Sequence, residues 1–250
     1  GIGIGQRLFQ YINNYINDNN ILSIVIPNHM ASRSLSSAGW KIQESFLNYM
    51  YIIDPTELLM KYRFLRNTAK MAGMIYMRYI RKRASMLKLD NIIVQEEEGV
   101  DESFDILWSN ISKKGLILRD RSADSINWRY KENPRRQYRF IKFIKEKELV
   151  GYIIYVVIGS NICQVVDFMA LRNEHLYLML RALINLKVRQ RETSIIRVPI
   201  NRNNSYNDVF KKVGFIKRED DTILKSYVPS SNDHLLDKHR WFITIGDKDV

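Results

Sequence analysis

The feature of this sequence that most constrains its fold is a group of three apolar segments between residues 138 and 171. The segments are rich in the β-branched and aromatic residues that strands favour. They cover residues 138–144, 149–158 and 162–171. Linkers of only four and three residues separate them, which is too short for the crossover between parallel neighbours. The sequence therefore predicts three consecutive antiparallel strands, followed by a helix over residues 176–190, where apolar residues recur at helical spacing.

A second feature is an order of elements that occurs at both ends of the chain: helix, strand, short helix, strand. The first set is predicted as a helix from about Gly5, a strand at 21–26, a short helix at 31–38 and a strand at 44–53. The second set is the helix at 176–190, a strand at 195–199, a short helix at 206–213 and strands at 223–227 and 241–245. The two sets flank the predicted meander.

One asparagine and one glycine recur in both sets of elements, separated by the same number of residues in each case. Asn28 lies eleven residues before Gly39, and Asn203 lies eleven residues before Gly214, so the offset is 175 residues in both cases. Few other residues match, and coincidence is the alternative. The shared order of elements favours a duplicated supersecondary unit. Together with the meander it predicts an α+β fold, α/β mixed, with mostly antiparallel mixed sheets flanked by helices.

The basic residues are concentrated in one connector. The 250-residue chain has a formal net charge of +12, and residues 57–88 hold nine Lys or Arg against one acidic residue. Residues 95–105 then hold six acidic residues and no basic one. We expect residues 55–100 to form a basic helical connector, broken near Gly73, and an acidic loop. A solvated helix pair that bridges two domains is favoured, and peripheral contact of residues 57–88 with an anionic membrane stays open.

Other residue types limit the classes of site and of location. The longest strongly apolar stretch, residues 149–158, is about half of the roughly 20 residues that a membrane-spanning helix needs. Cys163 is the only cysteine, so no disulfide forms within the chain, and a reducing compartment, the cytoplasm, is expected. Cys163 lies in a strand pattern and is interpreted as a core residue rather than a nucleophile. The four histidines are scattered, and we expect no metal.

The chain opens with a glycine-rich loop, Gly1, Ile2, Gly3, Ile4, Gly5 and Gln6, that leads directly into the first predicted helix. Because glycine has no Cβ, such a backbone can approach a phosphate closely, and the free N–H groups of a helix start favour an anion. By itself the pattern also suits a dinucleotide, a nucleotide or a tight turn. The loop is therefore a candidate phosphate site.

In its context this loop resembles the acetyl-CoA-binding half of GNAT-family N-acetyltransferases. The loop, its helix, the strand that ends at Asn28 and the short helix that closes at Gly39-Trp40 follow the family's order. The family's Gln or Arg before the glycines would precede Gly1. The resemblance implies that the backbone amides of Gly1 to Gln6 hold the pyrophosphate of acetyl-CoA and that Asn28 meets the pantetheine arm. A strand-ending turn residue is the alternative for Asn28.

The rest of the chain resembles a second GNAT domain along its whole length. The similar positions are Arg119-Asp120, Asn127-Trp128-Arg129-Tyr130, Pro134, Val165-Val166-Asp167, Gly214-Phe215 and the tail 241–249. Tandem GNAT-like proteins of this kind are associated with bacterial surface polysaccharide synthesis. The resemblance implies three parts: residues 1–54 as the C-terminal half of a first GNAT-like domain, residues 55–100 as the connector, and residues 101–250 as a second domain.

Both parts depart from the family pattern. Leu35 stands where many relatives have the tyrosine that protonates the departing thiolate, and Phe210 stands there in the second part. Residues 171–176 offer no glycine, and Glu174 would repel a pyrophosphate, so we interpret the second domain as degenerate. A salt-bridging or capping role is favoured for Asp167 over a role as a base.

The strand that polarises the thioester, and any base near it, would precede Gly1 in an intact relative. No catalytic residue is therefore assigned, and we expect this chain to be truncated at the acetyl-CoA loop and inactive as a fragment. Three functions are weighed for the protein. They are an acyl-CoA-dependent N-acyltransferase with an amino sugar or aminoacyl acceptor, a noncatalytic GNAT-like scaffold or binding protein, and a basic module for anionic membrane or nucleic acid, without an RNA-binding signature.

Overall fold

The computed structural model describes residues 4–85, 92–111, 118–229 and 241–247, so Gly1, Ile2 and Gly3 of the predicted site lie outside the described residues. The strands are β1 (Ser23–Val25), β2 (Lys41–Ile52), β3 (Ile92–Glu97), β4 (Arg139–Lys145), β5 (Glu148–Ile158), β6 (Ile162–Ala170), β7 (Ile195–Asn201) and β8 (Ile216–Tyr227). The α-helices are α1 (Ile4–Asp18), α2 (His29–Ser37), α3 (Thr56–Met60), α4 (Ala69–Ser85), α5 (Ser103–Asn110), α6 (Ala123–Ile126), α7 (Asn173–Gln190) and α8 (Asn207–Val213). A π-helical turn, Asn127–Lys131, follows α6, and a 3-10 turn, Ile245–Asp247, follows the last bridge.

These strands join one sheet in the order β1-β8-β2-β7-β6-β5-β4-β3. Within the described residues, every pair of neighbours is antiparallel except β6 and β7, which run parallel. Helices flank the sheet, so the fold is α+β with a mostly antiparallel mixed sheet.

The predicted meander is confirmed. Strands β4, β5 and β6 pair antiparallel, and α7 follows them, three residues longer at its start than the spacing predicted. Glu146 and Lys147 form the first turn with φ of 52° and 69°, as hairpin turns of two residues require. Gly159 opens the second turn with φ of 62°, a conformation in which glycine has no steric cost.

Strand β2, near the start of the chain, lies between two strands from its end. It pairs with β7 over Phe46 to Ile52 and with β8 on its other side. Strand β8 in turn pairs with β1, so residues 1–54 and residues 101–250 contribute alternate strands to this half of the sheet. The two segments share one hydrogen-bonded ladder.

The 175-residue offset recurs in the bounds of the strands, since both ends of β8 lie that far after the ends of β2. Gly39 and Gly214, separated by the same offset, follow α2 and α8 with φ of 88° and 106°. The next residue donates a backbone hydrogen bond in each case, Trp40 to Leu35 and Phe215 to Phe210. That the two halves superpose stays a prediction.

The main hydrophobic core lies between the sheet and helices α5, α7 and α8. Leu180 and Leu183 of α7 are buried there. Tyr49 of β2 stacks on Phe210 of α8 with 4.7 Å between ring centroids, so β2 packs against a helix from the second half of the chain. A smaller cluster, Ile16, Leu35 and Trp40 with their neighbours, holds α1 against α2.

Two expectations for the charged connector differ from the structure. Strand β3 occupies part of the stretch where we expected an acidic loop, because its backbone pairs with β4 while its acidic side chains remain at the surface. Helix α4 runs through Gly73 without a break. Gly73 faces the start of α3, and a Cβ there would overlap Oγ1 of Thr56. This glycine serves close packing and does not end a helix.

The segment 241–245 is not the regular strand that its apolar residues predicted. It makes an isolated antiparallel bridge between Thr244 and Ile200 and then turns into the 3-10 turn. Among the described helices, none combines the length and the apolar character needed to cross a bilayer.

Replacing Gly73 with Ala is expected to lower the free energy of unfolding by about 1 kcal/mol, although Ala normally favours a helix over Gly. The new Cβ would displace Thr56, whose hydroxyl donates a 2.6 Å hydrogen bond to Asp54. Gly5→Ala is the matched control, because a Cβ at Gly5 meets no atom within 4 Å. Urea unfolding measures both changes, and equal stability of the two variants would contradict this account of Gly73.

Candidate functional site

The sheet opens between its two parallel strands. Strands β6 and β7 pair only from Ile162 to Gln164, opposite Ile195 to Arg197, and the remainder of each strand lacks the other as a partner. A bulge occurs in β6 just past this point, because Asp167 pairs with Ile154 and Val165 with Tyr155, which leaves Val166 without a cross-strand residue. The opening therefore has a bulged strand on one side and the last residues of β7 on the other.

Helix α1 presents an open N-terminal turn. The helix begins at Ile4, close to the predicted start, and Ile4 and Gly5 are exposed at the end of the predicted glycine loop. Space around Gly5 is open, since no other atom lies within 4 Å of an added Cβ. The backbone N–H groups of a first helical turn have no partners within the helix, so they are available to an anion.

Asn13 fixes the direction of α1. Its side-chain amide donates a 2.6 Å hydrogen bond to the carbonyl of Ala38, and its Oδ1 accepts a 2.9 Å bond from Nε1 of Trp40. Ile16 and Leu35 pack beside this pair. These contacts hold the C-terminal half of α1 against α2, and Ile4, Gly5 and Arg7 of its first turn are exposed among the described residues.

Asn28 is the N-cap of α2. Its Oδ1 accepts a 2.8 Å hydrogen bond from the backbone N–H of Ala31, and the residue is exposed. Among the described residues, no hydrogen bond joins Asn28 to the first turn of α1. The structure thus gives Asn28 the local helix-capping role, and contact with pantetheine stays a prediction.

Helix α7 starts beside the sheet opening but differs from α1. Its N-cap, Arg172, makes no side-chain cap, and Glu174 places a carboxylate in the first turn. Nδ1 of His175 is buried and lacks a hydrogen-bond partner among the described residues, and burial lowers the pKa of this imidazole. The turn carries a negative side chain and no glycine, as the sequence indicated.

The C-terminal segment 241–247 fills the opening between β6 and β7. Asn201 at the end of β7 donates its backbone N–H to the carbonyl of Ile243 at 3.2 Å and accepts the N–H of Ile243 on its Oδ1 at 3.1 Å. On the β6 side, Oγ1 of Thr244 donates to Asp167 at 3.2 Å. A Cβ on Gly246 would lie only 2.6 Å from the carbonyl oxygen of Val166. The segment thus lies in the opening and bridges the two strands.

A buried group of charges holds this segment. Nε of Arg121 lies 3.2 Å from Asp167, and its Nη2 lies 3.0 Å from Asp247. Tyr152 donates its hydroxyl to Asp167 at 3.2 Å, and Arg129 donates to the carbonyl of Gly246 at 2.6 Å. The salt-bridging role favoured for Asp167 is confirmed. Sequence reasoning missed this network. The one sequence feature that pointed to it was the apolar run Trp241-Phe242-Ile243, which indicated that the segment before Thr244 is buried.

The charges of this network balance each other. Burial opposes the charged form of Arg121, but Asp167 and Asp247 outweigh burial and raise the pKa of the guanidinium. Burial raises the pKa of the Asp167 carboxyl, and Arg121 opposes that increase. A carboxylate that is held by a guanidinium and a tyrosine, with no access to solvent, is poorly placed to accept a proton from a substrate amine.

The remaining candidates have structural roles. Cys163 is fully buried, and burial raises the pKa of its thiol to about 12, so the thiolate is scarce at neutral pH. Leu35 and Phe210 are core residues. In the described part of the chain, no group of three or more His, Cys, Asp or Glu side chains is placed to share a metal ion.

A cavity of about 760 Å³ lies away from the opening, beside β3 and β4. Its lining carries charges of both signs, among them Glu97, Asp101, Arg136 and Lys142. Lys142 and Asp101 form an ion pair at 2.5 Å across it. No residue of β6, β7 or segment 241–247 is among the described residues that line this cavity.

Replacing Asp167 with Asn should reduce the free energy of unfolding by about 3 kcal/mol, because a buried guanidinium then loses one of its two carboxylates. Asp221→Asn, an exposed position on β8, makes the same charge change and should alter stability by less than about 0.5 kcal/mol. Urea unfolding compares the variants. Losses of the same size would show that Asp167 does not hold the segment.

No protein-family model matches this chain, and no curated protein is similar to it in sequence. Solved structures are similar to it in fold. A GCN5-related N-acetyltransferase from Anabaena variabilis superposes with a TM-score of 0.58 at 12% identity, covering 90% of this chain and 51% of that one. A conserved protein from Enterococcus faecalis, described as a probable N-acyltransferase, gives 0.60 at 10% identity, covering 91% and 51%.

A GCN5-related N-acetyltransferase from Kribbella flavida gives a TM-score of 0.50 at 13% identity, covering 91% of this chain and 48% of that chain. This chain thus spans about half the length of each of these three structures. At such identities the comparison concerns architecture: the chain has the fold of the GCN5-related N-acetyltransferases.

Proposed function

We propose that the protein is an acyl-CoA-dependent N-acyltransferase that transfers an acetyl group from acetyl-CoA to an amine. The observation that carries this proposal is the contrast between two helix starts within an N-acetyltransferase fold. The first turn of α1 is open and follows glycines, whereas the opening beside α7 is filled by segment 241–247. The cofactor site is assigned to the first part of the chain.

In this proposal Gly1 to Gln6 bind the pyrophosphate of acetyl-CoA. The open space at Gly5, where no described side chain or distant backbone atom lies within 4 Å of an added Cβ, suits a phosphate group at the helix start. Arg7 is exposed in the same turn and adds a positive charge. Asn28, at the start of α2, is the candidate contact for the pantetheine arm.

The reaction is a direct transfer. The amine nitrogen of the acceptor attacks the thioester carbonyl, a C–N bond forms, the C–S bond breaks, and the proton lost by the amine neutralises the departing thiolate. Leu35 stands at the position where a tyrosine would supply that proton, and it is buried, so another group or water must do so. No residue of the described chain is assigned as the base.

We also propose that the chain contains parts of two GNAT-like units, residues 1–54 and 101–250, with 55–100 between them. The support is the shared element order, the 175-residue offset of β2 and β8, and the matching turns at Gly39 and Gly214. The second unit acts as a noncatalytic scaffold that completes the sheet around β2. An amino sugar or aminoacyl acceptor and a role in surface-polysaccharide synthesis rest on the sequence resemblance, and a cytoplasmic location rests on the single cysteine.

Gly5→Glu should weaken acetyl-CoA binding by about tenfold or more, because a carboxylate at the helix start repels the pyrophosphate. Gln10→Glu makes the same change in charge on an exposed position further along α1 and should leave affinity nearly unchanged. Isothermal titration calorimetry measures both. Equal affinities would refute the phosphate assignment, and absence of any acetyl-CoA binding would favour the noncatalytic scaffold.

The number of bound acetyl-CoA molecules per chain tests the second unit. We expect one, which Gly5→Glu removes. Glu174→Gln takes away the carboxylate that would repel a phosphate at α7, yet it should add no second site, because segment 241–247 still fills the opening. A second binding event in the Glu174→Gln variant would show that charge alone closes this site and would overturn the scaffold assignment.

A further inference from the structure

The connector helix α4 has two different faces. Its inward face carries Ala69, Gly73 and Ile80, which are buried, and Ile80 belongs to the main core. Tyr76 packs against the same core and donates its hydroxyl to the carbonyl of Ile52 at 3.0 Å. These contacts fix the rotation of α4, so its other residues have a defined outward direction.

The outward face of α4 is apolar at its start. Met71, Met74 and Ile75 are 59%, 67% and 65% exposed, and Tyr79 is 57% exposed one turn later. Phe64, in the turn before α4, is 80% exposed. We expected the apolar side of a bridging connector to be covered by protein. Within the described residues only the inward side is covered: Met71, Met74, Ile75 and Tyr79 lie along the outward side of the helix, and Phe64 is exposed in the turn that precedes it.

The same surface is strongly basic. Residues 58–89 contain no acidic residue. The exposed cations of the described part of the connector are Lys61, Arg63, Arg66, Lys70, Arg78, Arg81 and Lys82. They lie before the apolar residues in the turn and beside and after them on the helix, so the apolar group is bordered by positive charge.

We infer that this face, formed by Phe64, the outward side of α4 and the bordering cations, binds the surface of an anionic lipid bilayer. Exposed Met, Ile and Phe side chains gain by entering the boundary between headgroups and acyl chains, while Lys and Arg remain with the anionic headgroups. Because the two properties share one rigid face, a single orientation satisfies both. The inference does not depend on the proposed acetyltransferase activity.

The apolar residues decide between a bilayer and a nucleic acid. A basic surface alone attracts both through the same long-range field. Binding to a single-stranded nucleic acid uses cations for phosphates and aromatic rings for stacking, and it would leave the aliphatic side chains of Met71, Met74 and Ile75 exposed. An anionic bilayer complements the charge and also covers these aliphatic side chains.

The test is co-sedimentation of the purified protein with vesicles of phosphatidylcholine alone or mixed with phosphatidylglycerol. We expect binding only to the mixed vesicles, weakened by added salt. Met74→Gln/Ile75→Gln and Arg78→Glu/Arg81→Glu should each reduce binding by about tenfold, the first through lost apolar insertion and the second through charge. All four positions are exposed, so the fold should survive, and circular dichroism checks this.

Two control variants make the same chemical changes elsewhere. Met30→Gln/Ile106→Gln changes two exposed apolar residues on α2 and α5, and Lys212→Glu/Lys217→Glu reverses two exposed charges near β8. Both should bind the mixed vesicles as well as the unchanged protein does. Equal loss in control and test variants would overturn the assignment of this face.

Other occupants give different results. Binding to a single-stranded oligonucleotide without binding to vesicles would overturn the inference in favour of nucleic acid. Self-association that Met74→Gln/Ile75→Gln abolishes, again without vesicle binding, would identify a second copy of the chain as the occupant. Because acetyl-CoA affinity is measured separately on the Gly5→Glu variant, failure of either proposal is distinguishable from failure of the other.

Discussion

The rest of the structure depends on the position of β2 between β7 and β8. This strand comes from the start of the chain, yet it hydrogen-bonds to the end of the chain on both sides. Tyr49 on β2 stacks against Phe210 of α8, so β2 also contributes side chains to the core. Without β2, strands β7 and β8 would have no neighbour between them, and the sheet would divide. Sequence boundaries at residues 54 and 100 therefore do not mark separable parts of this sheet.

The parallel pair of β6 and β7 creates the second constraint. Where the two strands stop pairing, their backbone groups and inward side chains need other partners. Segment 241–247 supplies them by bonding to Asn201 on one strand and Asp167 on the other. The two guanidinium groups of Arg121 and Arg129 balance the two carboxylates of Asp167 and Asp247, so the buried network has no net charge. The chain thus supplies from its own segment 241–247 the partners that the two strands do not give each other.

Much of this architecture could be predicted because its signals are local. The meander follows from short linkers, and helices α1 and α7 follow from apolar spacing, although α7 begins three residues before its predicted start. The misses have a common physical cause, which is contact between residues that are far apart in sequence. Gly73 was predicted to break a helix because a local pattern does not show its contact with Thr56. Strand β3 was predicted to be a loop because its side chains are acidic, although its backbone pairs with β4. Arg121 and Asp167 are 46 residues apart, beyond any spacing rule.

Strand β3 is the last strand of the sheet, and its composition has a consequence for self-association. The outer side of an edge strand offers unpaired N–H and C=O groups to any extended chain. Gln95, Glu96 and Glu97 fill the second half of β3 and are exposed. A second copy that paired there edge to edge would bring its own Glu96 and Glu97 close to these two carboxylates, and the like charges would repel each other. The acidic stretch therefore protects a backbone that would otherwise invite aggregation.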